Sequence, residues 1–131
     1  MTSILEQIRF PLSPAERSSL YWRLGSLGAF CGGEIAKRNF KSLNLVEAFS
    51  IGCEESRFDP RLLGTLINLL ARKFSEINPF ALGMALQYLP TPQTLGVIGA
   101  FSKHLDSDPR LKAFLEIVLT GLKKNILLII K

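Results

Sequence analysis

The chain has 131 residues, the length of one domain with a substantial buried core. Apolar residues make up 47% of it, and this fraction excludes intrinsic disorder as the main state. The formal net charge of +5 favours an acidic partner: a nucleic acid, an anionic membrane surface or an acidic protein.

The first ten residues predict a short helix and no secretion signal. Charged residues interrupt the apolar positions between Met1 and Phe10, and no basic-then-apolar leader is formed, so we expect a cytoplasmic protein. Ser3 and Glu6 have the spacing of a capping box. This spacing predicts a short helix that ends before Pro11.

Five prolines directly follow a residue type that caps helices. In each pair the side-chain oxygen can accept a hydrogen bond from a backbone N–H of the first turn. Proline then occupies the first helical position, where its missing N–H costs nothing. These pairs predict a chain of short helices with sharply defined starts. They are Ser13-Pro14, Asp59-Pro60, Asn78-Pro79, Thr91-Pro92 and Asp108-Pro109.

Residues 12–40 predict one N-terminal helix, long or broken, that begins at Pro14. Its apolar stripe repeats at three- and four-residue intervals, and a stripe of small residues runs beside it. Because glycine is unfavourable within a helix, either the helix breaks near Gly32-Gly33 or the small residues allow close packing of another backbone. No P-loop or dinucleotide-binding pattern is present. The apolar stripe is Leu20, Leu24, Leu27, Cys31 and Ile35; the small one is Gly25, Gly28, Gly32 and Ala36.

The remaining segments also predict helices. One covers Leu45 to Cys53, with Glu54 on its polar side, and residues 59–122 predict four antiparallel helices because the turns between them are short. The sequence Asp-Pro-Arg-Leu begins at Asp59 and again at Asp108, as expected either for a helical repeat such as HEAT or for shared capping chemistry. The last of the four has only a thin polar line, which predicts a position near the centre of the core.

These elements predict an all-α fold. We expect a single compact domain over residues 1–131, with about six or seven short antiparallel helices arranged as an irregular bundle or as HEAT-like helix pairs. Phenylalanines at apolar helical positions are expected in the core. They are Phe30, Phe49, Phe74, Phe101 and Phe114.

Residues 123–131 form an apolar tail. Glu116, Lys123 and Lys124 interrupt the apolar stretch from Ala113 to Ile130, so no membrane span is predicted. Left exposed, such a run promotes aggregation. It should be buried in the fold, paired as a strand, or covered by a partner.

No arrangement of residues predicts catalysis or metal binding. The cysteines, Cys31 and Cys53, lack the spacing of a zinc site, and His104 is the only histidine. Glu54 and Glu55 are neighbours on a helix and point about 100° apart, so they should not act as a facing acid–base pair. We therefore expect a protein that is not an enzyme, with no cofactor and no small-molecule ligand.

Two functional hypotheses remain. The first is a non-catalytic helical protein-interaction module that assembles with itself or with a protein partner. Its candidate contact residues are Trp22, Arg23 and the tail residues Ile126, Leu127, Leu128, Ile129 and Ile130. Trp and Arg are frequent at the energetic centres of protein interfaces, although the N-terminal segment could equally cover Trp22.

The alternative is a small basic DNA-associated regulator, antitoxin-like in size and charge. Residues 79–105 have roughly the proportions of a helix-turn-helix unit. This hypothesis requires the basic residues to converge on one face. Its candidate nucleic-acid residues are Arg72, Lys73, Gln93, Thr94 and Lys103.

Overall fold

The structure is a computed structural model that describes residues 4–29 and 43–130, with side chains for residues 5–29 and 43–120. The described part is all-helical, as predicted. Seven α-helices and one 3-10 helix form a compact bundle, and no strand occurs in the described ranges. In chain order they are α1 (Ile4–Gln7), α2 (Pro14–Ser26), α3 (Leu45–Glu55), α4 (Pro60–Lys73), the 3-10 helix Phe74–Glu76, α5 (Pro79–Leu86), α6 (Thr94–Leu105) and α7 (Pro109–Ile130).

Four of the five cap-proline pairs begin helices as predicted. The caps of α2, α4, α5 and α7 each accept a hydrogen bond from a backbone N–H of the first turn. At α2 the Ser13 hydroxyl accepts from the Glu16 N–H, while the Glu16 carboxylate accepts from the Ser13 N–H at 2.9 Å, which completes a capping box. Asn44 and Glu47 form an equivalent box at α3.

The fifth pair, Thr91-Pro92, does not begin a helix. Helix α6 starts at Thr94, and no side-chain hydrogen bond caps it. The backbone N–H of Thr91 instead donates to a carboxylate oxygen of Glu54 on α3, at 2.8 Å. This long-range hydrogen bond holds Thr91 on α3, and the Thr91 carbonyl accepts from the Thr94 N–H in the turn from which α6 begins.

Helix α2 also ends earlier than the predicted break near Gly32-Gly33. Its last residue is Ser26, and Gly28 adopts a φ of +113°, a left-handed conformation that L side chains rarely adopt. The Gly28 carbonyl accepts from the Arg72 guanidinium at 2.8 Å, which ties the turn to the end of α4. The later members of the two predicted stripes, Cys31, Gly32, Ile35 and Ala36, lie outside the described residues, as does Phe30.

We expect Gly28→Ala to lower the free energy of unfolding by about 1–2 kcal/mol, because the new side chain is forced into a left-handed backbone. Its Cβ would also lie 3.0 Å from the Lys73 side chain. Gly64→Ala is the matched control: it lies in α4 with nothing within 4 Å of a built Cβ, so it should raise stability by about 0.4–1 kcal/mol. Urea titrations of both variants measure the difference; equal effects would contradict the assignment of Gly28.

The core centres on α3, and the prediction that the last helix occupies the centre is wrong. Every residue of α3 from Ala48 to Glu55 is buried, and helices α2, α4, α5 and α6 all pack against α3. Helix α7 instead buries one side within its described side chains and exposes the other, including Ile117. The pattern of apolar residues in the sequence shows how apolar a helix is. The position of that helix in the core depends on which other helices pack around it.

The packing order follows a ring of five helices. Going around it, α3 contacts α4, α4 contacts α6, α6 contacts α7, α7 contacts α5, and α5 returns to α3. Helices two apart in the chain therefore pack side by side, as in stacked helix pairs. The Asp-Pro-Arg-Leu repeat does not follow this order, since α4 and α7 are three helices apart. We attribute it to shared capping.

The predicted tail is part of α7, whose backbone is helical to Ile130. The strand alternative for residues 126–130 is therefore wrong, and the side chains of these residues lie outside the described set. Among the helices of the described ranges, none has the combination of length and apolar character needed to cross a membrane.

Candidate protein-interaction surface

The longest stretch without charge lies in the middle of the chain. From Ile77 to Ser102 no residue is charged, although charged residues make up 21% of the chain. This stretch contains all of α5 and most of α6. A helix with no charged side chain has few groups that favour water. Any part of such a helix that the rest of the fold leaves exposed is therefore a candidate binding surface.

Helix α5 is apolar on all sides but is covered on only one. Leu82, Gly83 and Leu86 are buried toward the bundle. On the opposite side three large side chains follow one another at four-residue intervals. Phe80 is 69% exposed, Met84 60% and Tyr88, just past the helix end, 44%. A helix that is apolar all round belongs in an interior, so its outer side lacks a covering element.

Helix α7 extends this apolar surface. A Cβ built on Gly83 of α5 would lie 3.8 Å from the main-chain oxygen of Val118, and one built on Gly99 of α6 would meet Leu115, so α7 lies between the two helices. Ile117 is 39% exposed. On the helical wheel of α7 it is about 100° from Val118, which meets α5, and about 160° from Leu115, which meets α6. Ile117 is therefore on the α5 side of the helix. We define the α5 surface as Phe80, Met84, Tyr88 and Ile117.

Helix α6 has a separate exposed stripe. Val97, Phe101 and Leu105 are 49%, 53% and 60% exposed. The prediction that Phe101 lies in the core is therefore wrong. Gly99, on the side of α6 that meets α7, points away from the stripe, so this stripe and the α5 surface face different directions.

A polar cavity of about 490 Å³ lies beside Leu105 at the end of α4. Its charged groups are already engaged. The Arg110 guanidinium donates to both oxygens of Asp108, at 3.2 Å to Oδ1 and 2.7 Å to Oδ2, and holds the pKa of that carboxyl below its usual value. Arg72 donates to the Asn68 side chain at 2.7 Å and to the backbone of Gly28. These contacts stabilise the ends of α4 and α7.

Helix α3 carries two buried carboxylates, one of which, Glu54, is predicted on the polar side of the helix. Glu54 and Glu55 are both fully buried. Glu55 accepts from the backbone N–H of Leu12 at 2.8 Å and from the Arg17 guanidinium at 2.7 Å. Glu54 accepts from the Thr91 N–H at 2.8 Å and pairs with Arg57 at 2.7 Å.

These glutamates therefore hold two distant segments on α3. One is the segment before α2, and the other is the loop that connects α5 to α6. Each carboxylate has a backbone donor and a guanidinium, the combination that a buried charge requires. Their role in this geometry is to position the loops, and the loop at Thr91 sets where α5 ends and α6 begins.

The structure places the predicted protein-contact residues as follows. Trp22 and Arg23 on α2 are both half-buried. Arg23 donates to the backbone oxygen of Leu43 at 2.7 Å, which connects α2 to the segment before α3. The side chains of Ile126, Leu127, Leu128, Ile129 and Ile130 lie outside the described set. None of these residues belongs to the α5 surface.

The structure does not gather the predicted nucleic-acid residues into one cluster. Lys73 pairs with Glu76 at 3.0 Å, and Arg72 is engaged as described above. Gln93 and Thr94 lie at the beginning of α6, whereas Lys103 lies near its end, about 14 Å away along the axis. Helices α5 and α6 pack mainly on other helices instead of on each other.

The remaining reactive groups do not form a site. Cys53 is buried, and burial raises the pKa of its thiol far above the ordinary value. His104 is exposed at the end of α6. Within the described ranges no three histidine, cysteine or acidic side chains cluster in a way that could hold a metal ion. Cys31 lies outside these ranges.

Comparison with known proteins adds no assignment. No protein-family model, no curated protein and no solved structure matches the chain. Its uncharged, exposed and aromatic α5 surface is the feature that a functional proposal has to explain.

Proposed function

We propose that the chain is a non-catalytic helical protein-interaction module and that the α5 surface binds a protein. The observation that carries the proposal is the exposure of one whole side of a helix that is apolar all round. Burial of such a side against another protein removes its apolar area from water, which is the main favourable term in association.

The composition of the surface favours a protein over the other acidic or apolar partners. Protein interfaces are depleted of charge at their centres and enriched in Phe, Tyr and Met, as this surface is. Binding to DNA or to an anionic membrane requires Lys and Arg at the contact. No charged residue lies between Ile77 and Ser102.

The size of the surface is consistent with a binding site. From their exposed fractions, the four side chains present about 400 Å² of accessible area, within the range of the largest patches on monomeric proteins, which are often functional. The DNA-regulator alternative has no comparable support, because its candidate residues are dispersed or paired within the chain.

Met84→Glu tests the proposal. Placing a carboxylate at the most central position of the surface should abolish protein contacts, since the charge would have to be buried without a partner. The measurement is in-cell chemical cross-linking of the tagged chain, followed by identification of the cross-linked proteins. A cross-link between two copies of this chain also counts as a protein contact in this experiment.

Phe101→Glu is the matched control, because Phe101 is similarly exposed within the same uncharged stretch but on a different side of the bundle. It should retain the cross-links that Met84→Glu loses. Identical cross-links for the wild type and Met84→Glu, or none for any variant, would contradict the proposal.

A further inference from the structure

We infer that the protein covering the α5 surface is a second copy of this chain, in a symmetric dimer. The inference rests on the proposed function and names its partner. It is argued from the charge, the shape and the area of the α5 surface.

Charge is the first argument. Two copies that each carry +5 repel one another, and like charges placed across an interface oppose binding. A copy can approach closely only where the surface has no net charge, and the α5 surface meets this requirement. An acidic partner, in contrast, would gain nothing from a surface that offers no cation.

The shape of α5 suits a symmetric helix contact. Phe80, Met84 and Tyr88 form one ridge at four-residue spacing, and ridges of this type interdigitate when two helices pack. The same ridge is available on both copies. One helix thus supplies both halves of the contact.

The available area is the third argument. The four side chains supply about half of the 800 Å² or so that each partner contributes to a standard interface. The exposed neighbours Gln87, Pro90, Ala113 and Thr120 add to it. The contact does not require any segment outside the described residues.

The test is the solution mass of the full chain across a dilution series, by light scattering or sedimentation. We expect twice the 14.6 kDa chain mass at high concentration, with dissociation on dilution. Met84→Glu should raise the dimer dissociation constant at least about tenfold and keep the helical circular dichroism. Phe101→Glu should dimerise like the wild type.

The outcomes separate this inference from the proposed function. A chain that stays monomeric, while Met84→Glu still loses cross-links to another protein, overturns the dimer and leaves the interaction module standing. A monomer without any such cross-links overturns both. The inference is also overturned if the chain forms a dimer that dissociates in Phe101→Glu but not in Met84→Glu, because the contact would then use α6.

Discussion

Replacing Glu55 with alanine is expected to lower the free energy of unfolding by about 3 kcal/mol. The substitution leaves the buried N–H of Leu12 without its acceptor and removes the nearer of the two carboxylates that pair with the Arg17 guanidinium, the other being Asp59 at 3.9 Å. The Arg17 side chain is 34% exposed, so water recovers part of its loss, and the estimate is at the lower end for a buried ion pair. Urea unfolding monitored by circular dichroism measures the change.

Two further variants identify the cause. Glu55→Gln keeps an oxygen for the Leu12 N–H but has no charge, so its loss should be intermediate. Glu6→Ala removes an exposed carboxylate from α1 and should change the unfolding free energy by no more than about 0.5 kcal/mol. If Glu55→Ala destabilised the protein no more than Glu6→Ala, the carboxylate would not hold the segment before α2.

Phe49→Ala is expected to lower the unfolding free energy by about 3–5 kcal/mol, the cost of a large cavity in a packed core. Phe49 is fully buried on α3, the helix at the centre of the bundle. The measurement is again urea unfolding, at one chain concentration for the wild type and the variant.

Phe101→Ala is the comparison, because the sequence predicts the same core position for both phenylalanines. Phe101 is 53% exposed on α6, so its truncation should change the unfolding free energy by about 0.5 kcal/mol or less. Equal losses for the two variants would place Phe101 in the core and remove the reason for treating the stripe on α6 as exposed.

The sequence was most informative where the chemistry is local. A cap side chain, a proline and the first turn lie within four residues, so the starts of α2, α4, α5 and α7 follow from the sequence alone. The same local signal was wrong at Thr91-Pro92, where the chain forms a turn and α6 begins only at Thr94. The Thr91 N–H donates to Glu54 on a different helix, a long-range contact that capping preferences do not contain.

Burial was harder to predict than helix position. Glu54 and Glu55 are charged, which predicts an exposed polar side, yet two loops fold over them and supply backbone donors. Phe101 is apolar, which predicts burial, yet it lies on the outer side of α6. In both cases the outcome depends on which elements pack around the helix.

The sequence did contain a signal for the candidate site, but a search for short motifs does not detect it. The absence of charge from Ile77 to Ser102 is a property of a long window, and it coincides with the exposed side of α5. Apolar periodicity alone could not show which side of α5 is covered, because the helix is apolar on every side. Only the packing of α3 and α7 against it decides that.

The rest of the fold is organised so that α5 keeps its position. Glu54 fixes the loop that follows α5 to the central helix, and Gly83 lies against α7, where a built Cβ would be 3.8 Å from the main-chain oxygen of Val118. Asn78 caps the beginning of α5, and its side chain accepts from two backbone N–H groups. Both ends of this short helix are therefore held, and its outer side chains are presented on a fixed backbone.

The most direct test of the account is hydroxyl-radical labelling of Met84 as the chain concentration is raised. Because Met84 is 60% exposed in the isolated chain, it should label readily in dilute solution and become protected as the α5 surface is covered. Phe101 should label equally throughout. Labelling of Met84 that stays unchanged from the most dilute to the most concentrated sample, and that is no lower in a whole-cell extract, would contradict the account.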